Sequence, residues 1–317
     1  MFDVAVSELT TPRWELVQEL SCLVEHGLTA ISLWRSKVSD MGVAATARAL
    51  GEVGARASSL QWAGGFTGSD GRTFAESVAD ASDAIAAAAA LATASAQPPV
   101  VVVHSGCRGG HTRSHAERLL SEGLAALAPT ARAEGVVLGV KPVHPLAAAG
   151  CSFLTDLGAA VELVEGLADP HVRIALDLWQ FADAPEFDAL LPRLAAVVGL
   201  VHVADRATAV LPEADRLPAG SGGLPLEARV GQLVGHGYLG DFEFDPVGEA
   251  VQELGYEGAF AETRRMADLW IDRMAAEGLR RPLRVEPAHL QLRTVQRRGA
   301  TAGSRRSQAS TQVVSRG

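Results

Sequence analysis

The sequence alternates eight short apolar runs with longer stretches of helical spacing. The runs are rich in β-branched residues and mostly continuous, as expected of parallel strands that are covered on both faces. In chain order they read DVAVSE, TAISLW, ASSLQW, VVVVHSG, VVLGVKPV, VRIALDLW, GLVHVAD and DFEFDPV. Helical patterns follow most of them, such as WELVQELSCLVEHG after the first. Eight strand–helix units without a linker between them predict an α/β fold, a single (β/α)8 TIM barrel over residues 1–279.

An open, doubly wound sheet is the competing arrangement for such a pattern. The turn after the first apolar run, SELTTPR, lacks the GxGxxG fingerprint of dinucleotide-binding sheets, and the sequence contains no Walker-type phosphate loop. These absences favour the barrel.

The C-terminal segment differs in composition from the rest of the chain. The formal net charge is −9, yet residues 280–317 contain nine arginines against Glu286 as the single acidic residue. This segment is rich in Gly, Ser and Arg and has no periodicity, which predicts a disordered basic tail. Such a tail can contact a polyanion, but its composition favours a solvated extension without a specific partner. The acidic remainder argues against nucleic acid as a partner.

The sequence shows no signal for export or membrane insertion. No apolar run approaches the roughly 18 residues that a membrane helix needs, and the N-terminus lacks the basic and apolar regions of a signal peptide. The three cysteines, Cys22, Cys107 and Cys151, are too widely spaced to indicate a disulfide framework. We therefore expect a cytoplasmic protein without a membrane partner.

Ionisable residues stand at the ends of the last four predicted strands: Lys141, Asp177, His202 and Asp245. The carboxyl ends of barrel strands meet at one face, where catalytic groups of such barrels lie, so we expect these side chains to converge as catalytic residues. Asp177, His202 and Asp245 offer the oxygen and nitrogen ligands that suit a divalent metal. Lys141 is notable because the chain has only two lysines, and a lysine, unlike an arginine, can act as a base or nucleophile.

Several motifs resemble those of the xylose-isomerase-like TIM barrels. They are HGLTAISLWR, GVVLGVKPVHP, IALDLWQF, VHVAD, DRLPAGSGGLPL and GYLGDFEFD, and the resemblance extends over about residues 2–275. The family includes sugar-phosphate isomerases and epimerases, inosose-processing enzymes and hydroxypyruvate isomerase. The resemblance implies a small sugar, polyol or keto acid as substrate, and a homodimer or homotetramer.

The resemblance also implies a metal site built from Glu, Asp, His and Glu on strands five to eight. The matching positions hold Lys141, Asp177, His202 and Asp245, so the first glutamate is a lysine and the last a shorter acid. Gln180 stands where the family often has a histidine. The loop arginine that reaches toward substrate in the family matches Arg216.

A lysine at a ligand position disfavours a dication on charge grounds. At ~4 Å and an effective dielectric constant of about 20, each unit-charge interaction is worth about 4 kcal/mol, so the exchange removes attraction and adds repulsion. We therefore predict that the Lys141 ammonium, held by Asp177 and Asp245, replaces the metal, and that no cofactor is needed. The alternative is a divalent metal (Mn, Mg, Zn or Co) bound by Asp177, His202 and Asp245.

The predicted chemistry is proton abstraction next to a carbonyl, which gives isomerisation, epimerisation or dehydration. Lys141 stabilises the developing negative charge or, alternatively, forms an imine with the carbonyl, and His202 moves the proton. A further alternative is an inactive barrel that binds a small molecule, with its charged residues closing the former site. The expected substrate-binding residues lie at strand ends or in the following loops: Trp34, His104, Trp179, Gln180 and Arg216.

Overall fold

Eight parallel strands close into a barrel in strict chain order, so the predicted (β/α)8 TIM barrel is confirmed. The computed structural model describes residues 2–92, 98–148, 150–207, 209–210 and 215–278. The strands are β1 Asp3–Ser7, β2 Ala30–Trp34, β3 Arg56–Gly64, β4 Val100–His104, β5 Leu138–Val140, β6 Val172–Asp177, β7 Val198–Val203 and β8 Asp241–Phe244. The barrel belongs to the compact unit Met1–Arg281, and the predicted tail at 280–317 lies outside the described residues.

Helices follow the strands as the alternating pattern predicts. They are α1 Leu16–Glu25, α2 Arg35–Met41, α3 Val43–Glu52, α4 Phe74–Leu91, α5 Arg113–Glu134, α6 Leu157–Leu167, α7 Leu178–Phe181, α8 Phe187–Val197, α9 Leu226–Gly235, α10 Glu249–Leu254 and α11 Tyr256–Ala276. The sequence patterns did not predict α2, α3, α7 and α10, of which all but α3 have seven residues or fewer. Gly42 separates α2 and α3 at a φ of 87°, a conformation that glycine adopts without strain. None of the described helices is both long and apolar enough to cross a bilayer.

The helix starts are encoded locally. The Thr73 hydroxyl accepts a hydrogen bond from the Glu76 backbone N–H, while the Glu76 carboxylate accepts one from the Thr73 backbone, a reciprocal pair that begins α4. Thr112 caps α5 in the same way by accepting from the backbone N–H of His115. These caps place the loops after β3 and β4 at the carboxyl end of the barrel.

The apolar core lies mainly between the strands and the surrounding helices. Alternate strand residues such as Val101 and Val103 pack outward in a large cluster, whereas Val102 belongs to a separate small cluster with Ala175 and Leu200 inside the barrel. Gly139 of β5 lies beside this inner cluster, and a Cβ there would come within 2.8 Å of Val100 Cγ1. The barrel interior is therefore tightly filled at this level.

Gly139→Ala should overpack the interior and lower the free energy of unfolding by about 1–3 kcal/mol, as measured by urea denaturation. Gly166→Ala in α6 is the matched control, because a Cβ there meets nothing within 4 Å. The control should be neutral or stabilising by up to about 1 kcal/mol. Equal free energies of unfolding for the two variants would contradict the conclusion that the barrel interior is tightly packed around Gly139.

Candidate active site

Four strand-end side chains converge at the carboxyl end of the barrel. Lys141 directly follows β5, Asp177 ends β6, His202 lies in β7 and Asp245 directly follows β8. All four are buried, with Asp177 and His202 fully inaccessible. One ligand atom each from Asp177, His202 and Asp245 lie within 4.8 Å of one another. The structure thus brings together the residues that the sequence places on four successive strands.

Backbone pairing fixes these positions. Asp177 lies opposite His202 in the register of β6 and β7. The ladder continues past the strand ends, because the backbone N–H of Lys141 donates to Val103 O at 2.9 Å and that of Asp245 donates to Val203 O at 3.1 Å. The side chains therefore stand on the rigid barrel and not on free loops.

Arg216 inserts its guanidinium between the two aspartates. Its Nη1 and Nη2 donate to Asp177 Oδ2 and Oδ1, each at 3.1 Å. Nη2 also donates to Asp245 Oδ1 at 2.6 Å and Oδ2 at 2.7 Å, so all four carboxylate oxygens accept from one arginine. The Arg216 backbone is anchored too, since it exchanges two hydrogen bonds with Val247 after β8.

Lys141 contacts the same cluster from the other side. Its Nζ lies 3.1 Å from Asp177 Oδ2. The sequence led us to expect both aspartates beside this ammonium, but Asp245 is held by Arg216 instead. The planar guanidinium spans two carboxylates at once, whereas an ammonium is a compact point charge.

The two aspartates differ in their electrostatic environment. Burial alone would raise the pKa of Asp177, but the positive charges of Arg216 and Lys141 outweigh it and hold that pKa well below its usual range. Asp177 also accepts from Trp179 N at 3.1 Å and from Gln180 Nε2 at 2.9 Å. For Asp245, burial raises the pKa despite Arg216, and the charge of Asp177 adds to the rise. Asp177 is therefore the firmly ionised member of the pair.

The predicted substrate-binding residues fall into three groups. Gln180 donates to the Asp177 carboxylate. The Trp179 ring lies under the Arg216 guanidinium, with 5.1 Å between Arg216 Cζ and the ring centroid. His104 interacts electrostatically with Lys141, and burial as the larger cause lowers its pKa to about 3, so its imidazole is neutral. Trp34 instead donates its backbone N–H to the Glu8 carboxylate. Trp34 thus belongs to a neighbouring cluster rather than to the four strand-end residues.

Two residues of this end of the barrel were missed or undervalued from the sequence. Glu243 is fully buried in β8, and its Oε2 lies 3.1 Å from His202 Nε2. The signal for it was present, because Asp241, Glu243 and Asp245 alternate and so face the same side of the strand. Arg216 was expected to meet substrate, but loop sequence alone does not show that it bridges both aspartates.

The donor set does not fit a divalent metal as it is arranged. The three possible ligand atoms are close enough together for one ion. However, every carboxylate oxygen already accepts from Arg216, and an ammonium contacts Asp177 from the β5 position. A dication at this place would face two fixed positive charges.

A second buried cluster lies near the ends of β1 and β2. The Glu19 carboxylate accepts from Lys37 Nζ and from the Thr11 hydroxyl, both at 2.5 Å. Glu8 interacts with Glu19, and burial, followed by the Glu19 charge, raises the pKa of Glu8 to about 8. Both lysines of the chain thus pair with buried carboxylates, and burial favours the neutral form of Glu8.

Removing the Arg216 guanidinium should leave two buried carboxylates short of a partner. Arg216→Met should therefore lower the free energy of unfolding by about 3–5 kcal/mol at neutral pH, as measured by urea denaturation. The control is Arg193→Met, which breaks a half-exposed pair with Glu165 and should cost less than about 1 kcal/mol. A loss for Arg216→Met no larger than that of the control would contradict the buried network.

The raised pKa of Glu8 gives a pH dependence with a defined sign. A carboxyl group whose pKa rises on folding, here from 4.5 to about 8, stabilises the fold fully below pH 4.5, and this contribution is lost as the pH rises through 8. Glu8→Gln mimics the neutral acid and does not lose this contribution. The free energy of unfolding of Glu8→Gln, relative to that of the wild type, should therefore rise by roughly 3–5 kcal/mol from about pH 5 to about pH 9. Unfolding free energies at both pH values test this, and a pH-independent difference would contradict it.

The chain is similar to a known protein family and to several solved structures. The sequence profile of the family described as xylose isomerase-like TIM barrel matches residues 20–280. Among curated protein sequences no match was found. Solved structures with a similar fold are less than 25% identical in sequence to this chain, so they support the fold alone.

Protein SMc04130 from Sinorhizobium meliloti 1021 superposes with a TM-score of 0.75 at 23% identity, over 84% of this chain and 97% of that one. The IolI protein, solved with a bound zinc atom, gives 0.73 at 17% identity, over 86% and 99%. L-ribulose 3-epimerase gives 0.68 at 17% identity, over 90% and 100%. The family profile covers most of the barrel, and the resemblance predicted from the motifs is confirmed: the chain belongs to the xylose isomerase-like TIM-barrel family.

Proposed function

We propose that this protein isomerises or epimerises a small sugar, polyol or keto compound by abstracting a proton next to a carbonyl group. The observation that carries the proposal is the pair of cations, Lys141 and Arg216, fixed against Asp177 and Asp245 beside His202. Membership of the xylose isomerase-like TIM-barrel family supports the reaction class. The site lies where barrels of this kind carry out their chemistry.

In the proposed reaction His202 removes the proton from the carbon next to the carbonyl. The electron pair of that C–H bond moves to the carbonyl oxygen, which becomes an enolate or enediolate. For isomerisation, the former carbonyl carbon takes up the proton, while the hydroxyl group on the deprotonated carbon passes its own proton to the enediolate oxygen and becomes the new carbonyl. For epimerisation, His202 releases its proton to water, and a water molecule returns a proton to the opposite face of the deprotonated carbon as the original carbonyl re-forms. Loss of an adjacent hydroxyl group as water would instead give dehydration.

Lys141 is proposed to bind the oxygen that gains negative charge. An ammonium has three donors, and Lys141 directs one contact to Asp177 Oδ2. The other donors remain for a ligand oxygen, since no further acceptor of Lys141 is found in the part of the chain that the structure describes. A fixed positive charge in a buried site stabilises an oxyanion without reorganising water.

The electrostatic role suits Lys141 better than an imine role. Imine formation would direct the Lys141 nitrogen to the carbonyl carbon of the substrate, whereas Nζ contacts Asp177 Oδ2 at 3.1 Å as the cation of an ion pair. Arg216 cannot form an imine, because a guanidinium does not lose its proton in proteins. Its donors are already used in hydrogen bonds to both aspartates. Arg216 is proposed to keep the two carboxylates apart and in place.

Hydrogen exchange in D2O tests this function directly. Candidate ketoses and inososes are incubated with the protein, and deuterium incorporation next to the carbonyl is followed by NMR. The wild type should exchange at least one of them, and Lys141→Met should lower kcat by about 10²-fold or more. The control is Lys37→Met, the same change at the other lysine, which should keep most of the exchange rate once circular dichroism confirms its fold.

Two outcomes would redirect the assignment. Ligand binding with no exchange in the wild type would favour a small-molecule binding protein, a function that the closed network of Arg216 and the two aspartates also suits. Exchange at the wild-type rate in Lys141→Met would remove the ammonium from the mechanism.

A conventional metal enzyme is the second candidate, favoured by the closeness of the Asp177, His202 and Asp245 ligand atoms. It requires Arg216 to leave the carboxylate oxygens. Exchange measured after dialysis against a chelator separates the two candidates. Undiminished exchange supports the ammonium, whereas loss of exchange that added Mn²⁺ restores would establish the metal enzyme.

A further inference from the structure

A buried acid inside the barrel has no role in the reaction described above. Glu243 lies in β8, two residues before Asp245, and its side chain is fully inaccessible. Its Oε2 is 3.1 Å from His202 Nε2, and the two residues are partners in the register of β7 and β8. Burying a carboxylate costs free energy unless polar partners compensate for the lost water. The groups around Glu243 therefore indicate its role.

Those surroundings come from an irregularity in β3. Between the pairs Ile31–Ala57 and Leu33–Leu60, one residue of β2 faces two residues of β3, which is a β-bulge at Ser58 and Ser59. The Ser59 hydroxyl is 2.8 Å from the Ser32 hydroxyl of β2. In a regular strand, two successive side chains point to opposite faces of the sheet. At this bulge both serines find polar partners: Ser59 contacts Ser32, and Ser58 contacts Glu243.

Ser58 crosses the barrel to reach Glu243. Its hydroxyl donates to Glu243 Oε1 at 2.6 Å. Strands β3 and β8 are not neighbours in the barrel, so this hydrogen bond passes through the interior. Ser58 therefore holds one oxygen of Glu243, and the other oxygen faces the imidazole of His202 without a well-aligned hydrogen bond.

The imidazole has few other partners. Neither ring nitrogen of His202 makes a well-aligned hydrogen bond among the described residues, and the contact with Glu243 is its one short polar contact there. The Glu243 carboxylate thus places Oε2 3.1 Å from Nε2, while Ser58 donates to its Oε1.

We propose that Glu243 is a positioning residue that keeps the ring proton of His202 on Nε2 and leaves Nδ1 free as the proton acceptor. This inference rests on the proposed function, in which His202 is the base. A carboxylate oxygen facing Nε2 favours the tautomer with its proton there, as acidic partners of histidines do in other sites. When Nδ1 takes the substrate proton, the same carboxylate stabilises the imidazolium that forms.

The tautomer of His202 is the most direct readout. Nitrogen-15 NMR of histidine-labelled protein without ligand distinguishes a proton on Nε2 from one on Nδ1, and His202→Gln identifies the signal by its disappearance. The wild type should show the Nε2–H form. Glu243→Met, which removes the acceptor oxygens at similar volume, should give a mixture of tautomers. Glu243→Gln retains one acceptor oxygen and should restore most of the Nε2–H form.

Kinetics separates positioning from a merely structural role. In Glu243→Met, kcat for exchange should fall by about 10- to 100-fold while KM changes much less. Ser58→Ala keeps the charge but loosens the carboxylate, and it should give a smaller fall in kcat; it also serves if Glu243→Met does not fold. An unchanged tautomer in Glu243→Met and Ser58→Ala, or an unchanged kcat in both, would overturn the proposal.

Failure of this inference is distinguishable from failure of the proposed function. If the wild type exchanges no substrate, the proposed function fails, while the tautomer of the unliganded protein still supports or overturns the role of Glu243. If the wild type exchanges substrate and His202 carries its proton on Nδ1, the function stands and the positioning role is wrong.

Discussion

One ionic arrangement determines the character of this barrel: a guanidinium and an ammonium neutralise two buried aspartates where the strands end. Arg216 donates to every oxygen of Asp177 and Asp245, and Lys141 approaches Asp177 from the side of β5. Buried carboxylates are tolerated only with such partners, and removing one partner costs far more than the pair contributes. The site is therefore internally balanced in charge, and any ligand meets donors that are already in place.

This balance depends on the scaffold below it. The strand ladder carries Asp177 and His202 in register, and two backbone hydrogen bonds hold Arg216 to Val247 beyond β8. Under the mouth, the serine bulge of β3 and Glu243 of β8 form a polar layer that the apolar residues of the other strands surround. Positions fixed by a barrel change little on binding, which is what a site that stabilises charge by preorganisation requires.

The fold and most of the site's members are predictable from sequence for a physical reason. Continuous runs of β-branched residues predict parallel strands. Because barrel closure brings the carboxyl ends of the strands together, the convergence of Lys141, Asp177, His202 and Asp245 is predictable from their positions at strand ends. Contacts that depend on loop paths or on strand irregularities do not follow in this way. The reach of Arg216 across both aspartates depends on the path between β7 and β8, and the pairing of Ser58 with Glu243 depends on a bulge that the run ASSLQW does not reveal.

We propose that the side-chain cations Lys141 and Arg216 take the electrostatic place of a metal ion at this site. Elemental analysis of protein purified without chelator tests it most directly. We expect far less than one equivalent of any divalent transition metal per chain, because Lys141 and Arg216 already pair with the carboxylates. One equivalent of Mn, Zn, Fe or Co per chain would contradict it.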